Sequence, residues 1–250
     1  MRQLRNLIRR IGPTELPVLI TGPTGSGKEL VANAMHLASG RKGAFIAFNV
    51  CAVADTMFED ALFGHARGAF TGATSDSAGY LAQANNGTVF LDEISGLGLP
   101  SQAKLLRALE TQTFRAVGAQ HDKHSKFRIV AASNENLERL SGAGQFRLDL
   151  YHRLAGTTVK VPALSSRRED IPALIRAFAR ETGATHDANI AIEAMTMLEA
   201  EAWPGNVRQL KHVVELSRAL SDGRSVSPDG VRAALAMDGP DIGNEMQHDH

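Results

Sequence analysis

Short apolar runs rich in β-branched and aromatic residues alternate along the chain with longer stretches whose apolar positions recur every three or four residues. The short runs are residues 18–20, 44–48, 88–91, 127–132 and 157–161. They are apolar nearly throughout rather than alternating, as parallel strands covered on both faces are. The helical pattern appears at Leu30, Val31, Ala34, Met35 and Ala38, and again at Ala103, Leu105, Leu106 and Leu109 in a helix opened by Pro100. At the N-terminus Leu4, Leu7, Ile8 and Ile11 share one helical face and Arg2, Arg5 and Arg9 another, until Gly12 and Pro13 end the helix. From about Arg167 the pattern is wholly helical: Ile171 to Phe178, Ile190 to Leu198, Val207 to Val214 and Val231 to Leu235. These periods predict an α/β subdomain over residues 1–163 with a parallel sheet, a hinge at Pro162 and Ser165–Ser166, and a small all-helical subdomain over 164–237. Residues 238–250 are polar and expected to be disordered.

The first strand runs into Gly22-Pro-Thr-Gly-Ser-Gly-Lys-Glu29, and a helix leaves it. Glycines at 22, 25 and 27 let the backbone curl so that successive N–H groups face one anion, and Lys28 reaches the β- and γ-phosphates at the helix N-terminus. The spacing G-x4-G-K between strand and helix is specific for a phosphate loop. Glu29 stands where Ser or Thr usually ligates Mg²⁺.

A second strand ends in Asp92-Glu93 after a turn at 85–87. Beside a phosphate loop, Asp92 would hold Mg²⁺ directly or through water, and Glu93 would orient or deprotonate the attacking water. Asn49 and Asn134 also close strands, where parallel-sheet enzymes gather site residues. Each also reads as a turn or cap residue, Asn134 together with Ser133. Trp203-Pro-Gly-Asn206 is a turn with Asn206 as expected N-cap, which puts Arg208 in the first turn of a helix. Arg147 and Arg153 fall on a short helix over 146–154. Residues 62–73 carry two small-residue pairs, Gly68-Ala69 and Gly72-Ala73, around Phe70 and Thr71. The segment can bend tightly and present one aromatic tip, either as a contact surface or tucked beneath a loop.

Composition narrows the partners. The 250 residues are 43% hydrophobic, ample for a core, and 27 acidic side chains balance 27 basic ones. Nothing in that balance proposes nucleic acid or an anionic membrane. No apolar run is long enough to span a bilayer, and the basic N-terminus lacks a following apolar segment. The single cysteine, Cys51, allows no internal disulfide and fits a reducing compartment, so the cytoplasm is expected. His121 and His124 around Asp122 read as a solvated loop rather than a metal site.

Taken together, from about Arg10 to Leu235, these residues resemble the AAA+ ATPase domain of bacterial enhancer-binding proteins, the activators of RNA polymerase carrying sigma-54. The most specific element is Gly68-Ala-Phe-Thr-Gly-Ala73 after Leu62-Phe-Gly-His65, supported by Phe146-Arg-x-Asp-Leu-Tyr151, Arg167-Arg-Glu-Asp-Ile171 and Trp203-Pro-Gly-Asn-Val-Arg208. The family pattern departs at Ala116-Val-Gly118 and at Pro162–Ser166. The resemblance implies a three-layer P-loop AAA+ fold with a helical lid, ATP and Mg²⁺ as ligands, and a ring, expected to be a hexamer. It implies Walker A at Gly22, Pro23, Thr24, Gly25, Ser26, Gly27, Lys28 and Glu29, and Walker B at Asp92 and Glu93. Asn134 becomes sensor I, Arg208 sensor II, Arg147 and Arg153 trans-acting fingers, and Asn49 the partner restraining Glu93. Gly68, Ala69, Phe70, Thr71, Gly72 and Ala73, within a loop over 62–82, would meet sigma-54 of the polymerase holoenzyme and drive closed to open complex. Remodelling of another protein client, or nucleotide-dependent assembly without hydrolysis, are the alternatives. DNA binding is not expected of this chain alone.

Overall fold

The computed structural model describes residues 1–181, 189–221 and 225–238. In chain order the elements are α1 (Arg2–Ile11), β1 (Val18–Thr21), α2 (Lys28–Ser39), β2 (Phe45–Asn49), α3 (Asp55–Phe63), α4 (Gly79–Gln83), β3 (Thr88–Asp92), α5 (Leu99–Thr111), β4 (Thr113–Phe114) and β5 (Lys123–His124). Then follow β6 (Arg128–Ser133), α6 (Leu137–Gly142), α7 (Leu148–Leu154), β7 (Thr157–Lys160), α8 (Ile171–Glu181), β8 (Asn189–Ile190), α9 (Ile192–Ala200), α10 (Asn206–Leu220), β9 (Ser225–Val226) and α11 (Pro228–Asp238). The backbone divides into two units, Met1–Pro23 with Gly27–Val161, and Thr24–Ser26 with Pro162 onward.

In the first unit five strands form a parallel sheet in the order β2-β3-β6-β1-β7. That order explains the burial. The inner strands β1, β3 and β6 are nearly all buried, while the edge strands β2 and β7 carry the exposed positions. Strand side chains alternate between faces, so the sheet feeds two cores. Val18, Ile20, Phe90, Val130 and Val159 meet Leu4 of α1 and Val31 and Met35 of α2. Leu19, Val89, Leu91, Ile129 and Ala131 belong with Phe58 of α3, Leu105 and Leu109 of α5, and Leu150 and Leu154 of α7. Helices therefore cover both faces of the parallel sheet expected from the periodicity, in the three-layer arrangement that the resemblance implies.

Arg128 opens β6 and is buried, with three N–H groups given to the carbonyls of Gly12 (2.6 Å), Ile11 (3.1 Å) and Leu16 (3.1 Å). The guanidinium thus ties down the C-terminal end of α1 and the segment leading to β1, and burial pulls its pKa below the ordinary value.

The second unit packs α8–α11 around Ile171, Ile175, Leu198, Trp203, Leu210, Val214 and Val231, and the Trp203 indole N–H donates to the Leu198 carbonyl at 2.7 Å. It is not wholly helical. Ile190 lies in β8, paired in parallel with Val226 of β9, and the helix begins only at Ile192. A β-branched residue before the helix cap takes a strand partner instead of a helical place. Asp238 is the last residue of α11 and accepts from Gln209 Nε2 at 2.6 Å. The rest of the expected tail lies outside the described residues. The segment 62–82 likewise contains elements of its own, since α3 runs to Phe63 and α4 starts at Gly79. No helix among the described residues is long and apolar enough to cross a membrane.

Candidate functional site

Because the sheet is parallel, its C-terminal edge collects strand ends in a fixed order. Asn49 ends β2 opposite Asp92 at the end of β3; Ser133 ends β6 beside Thr21 of β1. The Gly22 amide donates to the Ser133 carbonyl at 3.3 Å, so the glycine loop leaves the sheet next to the residue preceding Asn134. One edge therefore gathers Asn49, Asp92, Glu93, Asn134 and the start of the glycine loop.

Lys28 is buried at the first position of α2, and its ammonium donates to the carbonyls of Gly22 (3.1 Å) and Pro23 (3.3 Å). The N-cap of α2 is Gly27, with no side-chain cap hydrogen bond, so the positive end of a twelve-residue helix opens on the glycine loop, as an anion site does. Glu29 is exposed, pointing away from any buried ligation role.

Glu93 lies one residue beyond its strand, in the left-handed region at φ 55° and ψ 42°. A non-glycine residue there carries backbone strain on the order of 1 kcal/mol, a feature concentrated at functional positions. Its amide donates to Asp92 Oδ1 at 3.0 Å, which orients one carboxylate against the backbone of the next. Among the described residues no hydrogen bond joins Asn49 to Glu93. Asn49 Oδ1 instead accepts from the Cys51 amide at 2.8 Å and caps a short 3-10 turn, while Cys51 Sγ stands 3.8 Å from the Glu93 carbonyl. Burial, followed by the Glu93 carboxylate, pushes the Cys51 thiol above its ordinary pKa. Asn134 is exposed; the cap of α6 is Asn136, whose Oδ1 accepts from the Arg139 amide at 3.1 Å, not Ser133 or Asn134. Ser133 closes on Glu135 instead, accepting from its amide at 3.0 Å.

The apex of the glycine loop groups with the helical unit. The Gly25 carbonyl accepts from the amides of Val207 (2.9 Å) and Arg208 (3.3 Å), the first turn of α10. Asn206 is not the N-cap. It is the first residue of α10, at φ 56°, and its buried amide donates to the Thr24 carbonyl (3.0 Å) and accepts from the Leu164 amide (2.8 Å). Arg167, also buried, donates to the Ser26 carbonyl at 2.6 Å. Gly25 has φ 72°, and a Cβ there would lie 2.3 Å from the Gly205 carbonyl oxygen, so only glycine fits. The Ser26 hydroxyl is buried with no hydrogen-bond partner among the described residues. A buried unbonded hydroxyl in such a loop is the kind of donor a phosphate oxygen satisfies, so these residues fit a nucleotide. Arg208 is exposed in the first turn of α10, as expected.

Arg147 is the N-cap of α7 rather than a helical residue. Its exposed guanidinium makes a two-point pair with Asp149, at 3.1 and 2.7 Å. That hydrogen bond holds the Asp149 carboxyl below its usual range and raises Arg147. Arg153, also exposed, donates to the Leu109 carbonyl at 2.9 Å and borders a cavity of about 290 Å³ with Phe127, Arg128 and Ile129. These residues start β6, whereas the glycine loop meets its end. Five residue steps at ~3.3 Å separate the two by about 16 Å, so Arg153 does not face its own chain's phosphate loop.

Phe70 stands at a tip, 46% exposed. The Gly68 amide donates to the Ala73 carbonyl (2.8 Å) and the Ala73 amide to the Phe70 carbonyl (3.0 Å), closing a tight loop. Phe70 packs edge-on to the His65 ring, centroids 5.0 Å apart, and His65 Nδ1 is bonded to Asp60. Ala73 is buried, while Gly68, Thr71 and Gly72 are exposed. Around Asp122, Arg115 pairs at 2.7 Å and holds its carboxyl below the usual range.

Cys51, Asn206 as an anchor and Arg167 were missed as site neighbours by sequence reasoning. Gln102 was missed too, though its signal was available: it shares the buried face of α5 with Leu105 and Leu109 at helical spacing.

The sigma-54 interaction domain family matches residues 1–160, and the AAA+ ATPase lid domain family residues 165–247. Transcriptional regulator VasH of Vibrio cholerae is 44% identical over 231 residues, covering 90% of this chain and 44% of that protein. Transcriptional regulatory protein GlrR of Escherichia coli K12 is 41% identical over 239 residues, 94% of this chain and 54% of that protein. The chain spans about half the length of the curated relatives it matches. The crystal structure of NtrX from Brucella abortus in complex with ATP superposes with a TM-score of 0.80 at 38% identity, covering 90% of this chain and 52% of that one. A Thermotoga maritima RuvB variant, at 13% identity and a TM-score of 0.57, shares the fold alone.

Proposed function

We propose, for a chain that belongs to the sigma-54 interaction domain family, that it hydrolyses ATP in a ring of identical subunits and uses the cycle to move the Phe70 tip against sigma-54. The observation that carries this reading is the single sheet edge that gathers the glycine loop, Asp92, Glu93, Asn49 and Asn134, in a chain that also exposes Phe70 between two left-handed glycines.

Gly22 to Gly27 and the first turn of α2 hold the phosphates, and Lys28 leaves the loop carbonyls for the β- and γ-oxygens. Glu29 completes that Walker A segment without ligating metal. Mg²⁺, held by Asp92 directly or through water, supplies neutralisation of the phosphate charge. Glu93 takes the proton of the attacking water, and Asn134 and Arg208 read the terminal phosphate as sensors I and II. Arg147 and Arg153 complete the site of the next chain. Their exposure, and the position of Arg153 at the opposite end of the sheet, support action across a subunit boundary. Asn49, beside Asp92 at the neighbouring strand end, restrains Glu93 until the γ-phosphate is read. The ring is a hexamer working in the cytoplasm, and residues 68–73 press on sigma-54 to help open the promoter complex formed by the polymerase holoenzyme.

Phosphate release and sigma-54 capture, measured on one preparation, test this. The chain should release phosphate from ATP and retain sigma-54 when a transition-state analogue is bound. Glu93→Gln should lose release by about 10²- to 10⁴-fold, and Phe70→Ala should lose capture. No release, or capture indifferent to Phe70, refutes the reading; release without capture points to another client.

A further inference from the structure

Gln102 is fully buried on α5, and both its Nε2 and its Oε1 are hydrogen-bonded to backbone. One Nε2 hydrogen goes to the Leu97 carbonyl (2.7 Å), the other to the Gln145 carbonyl (3.2 Å), and Oε1 accepts from the Arg147 amide (2.8 Å). Leu97 closes the 3-10 turn that begins at Glu93: the Gly96 amide donates to the Glu93 carbonyl (3.0 Å) and the Leu97 amide to the Ile94 carbonyl (3.2 Å). Hydrogen bonds and the covalent chain of one short turn therefore lead from the backbone of Glu93, through one buried side chain, to the backbone of Arg147.

The neighbours sharpen the point. Phe146 and Leu150, on either side of Arg147, are buried in the same core as Leu105, so the backbone there has little room to move alone. The Arg147 guanidinium, by contrast, is exposed and, among the described residues, its hydrogen-bond partner is Asp149, a pairing another anion can replace. A buried amide on an apolar helix face is costly unless fully bonded, and once bonded it fixes its partners to one geometry.

We propose that Gln102 is a positioning residue that couples a chain's own hydrolysis to the arginine it offers the next chain. When the turn after Glu93 shifts as the γ-phosphate is lost, Gln102 carries the shift to the Arg147 backbone and re-aims the guanidinium. The inference rests on the reading of Arg147 as a trans-acting finger.

Mixed assemblies separate the two claims. Lys28→Ala chains, which cannot use their own loop, still offer Arg147; Arg147→Ala chains keep their loop but offer no finger. Mixing them should recover phosphate release if fingers act in trans. Gln102→Met placed on the Lys28→Ala chain should then cut the recovered rate about 10²-fold, the scale of a 1 Å misplacement, although that chain hydrolyses nothing itself. An unchanged recovered rate from a Gln102→Met chain that melts as a folded protein overturns the proposal. Amide hydrogen exchange on the unaltered chain needs no variant. The Arg147 N–H should exchange at different rates with an ATP analogue and with ADP, and equal rates overturn the coupling. If the simple mixture recovers nothing, the trans reading has failed, and the exchange result alone judges whether Gln102 still links the two segments.

Discussion

The glycine loop after β1 and the 68–73 tip are both built on closely spaced glycines, and the two use them for opposite ends. At Gly25 the missing side chain lets two backbones touch, since any Cβ would strike the Gly205 carbonyl at 2.3 Å. At Gly68 and Gly72 a Cβ would meet nothing within 4 Å, so there glycine supplies left-handed turns and freedom rather than room. The side chains follow suit. Asn206 and Gln102, whose work lies inside the chain, are buried with several bonds each. Among the described residues, the exposed side chains of Phe70, Arg147 and Arg153 have one ring or polar side-chain partner each: the His65 ring, Asp149 and the Leu109 carbonyl. The contrast teaches where to look for groups that act on another molecule. Under the proposed function they are large or charged and lightly held, on backbone that is free to turn at Phe70 and packed into the core beside Arg147.

The sharpest way to break that comparison is to ask whether a lightly held arginine works for another chain. Arg147→Ala should lower phosphate release by about 10³- to 10⁵-fold, the range for arginine fingers. Adding Lys28→Ala chains should restore a measurable part of it. No recovery would put Arg147 to work in its own chain, and its exposure would then need another explanation.

Much of this was legible in the sequence because the patterns are local. Parallel strands covered on both faces are apolar throughout, so β1, β3 and β6 could be found from composition alone. The glycine loop and Asp92-Glu93 announce themselves by spacing. What stayed hidden depends on contacts between segments distant in the chain. Asn206 reads as a helix cap because Asn often is one, yet its amide is engaged 182 residues away at Thr24. Asn49 reads equally as a site residue or a turn residue, and only the fold shows its oxygen accepting from the Cys51 amide while its strand end stands beside Asp92. Ile190 reads as helical because it continues an apolar run, and only its pairing with Val226 makes it a strand. The left-handed backbone of Glu93 has no signature in residue type at all.

The glycines give the next comparison. Gly25→Ala must accept both a left-handed alanine and a collision with backbone, together about 2–5 kcal/mol. Gly68→Ala meets the backbone term alone, about 1–2 kcal/mol. Thermal unfolding of the two variants should therefore show the larger loss at Gly25, with nucleotide affinity falling there and holding in Gly68→Ala. Equal losses would mean the Gly25–Gly205 approach relaxes at no cost, and the two loops would no longer differ in kind.

The smallest effect concerns strain where the comparison is least expected, at a residue fixed within the chain. Glu93 occupies left-handed backbone without being glycine, so part of its cost is removed by any substitution that lacks a Cβ. In a helix interior, glycine is less stable than alanine by about 1 kcal/mol; at Glu93 the order should invert, because alanine keeps the Cβ clash and glycine sheds it. Both variants lose the carboxylate, so the difference between them isolates the backbone. Glu93→Gly should melt above Glu93→Ala by about 2–4 °C, the shift that roughly 1 kcal/mol produces in a chain of this size. If Glu93→Ala melts at the same temperature or higher, the turn after β3 is not held in that conformation. The hydrogen-bonded path from Glu93 to Arg147 would then start from the wrong geometry.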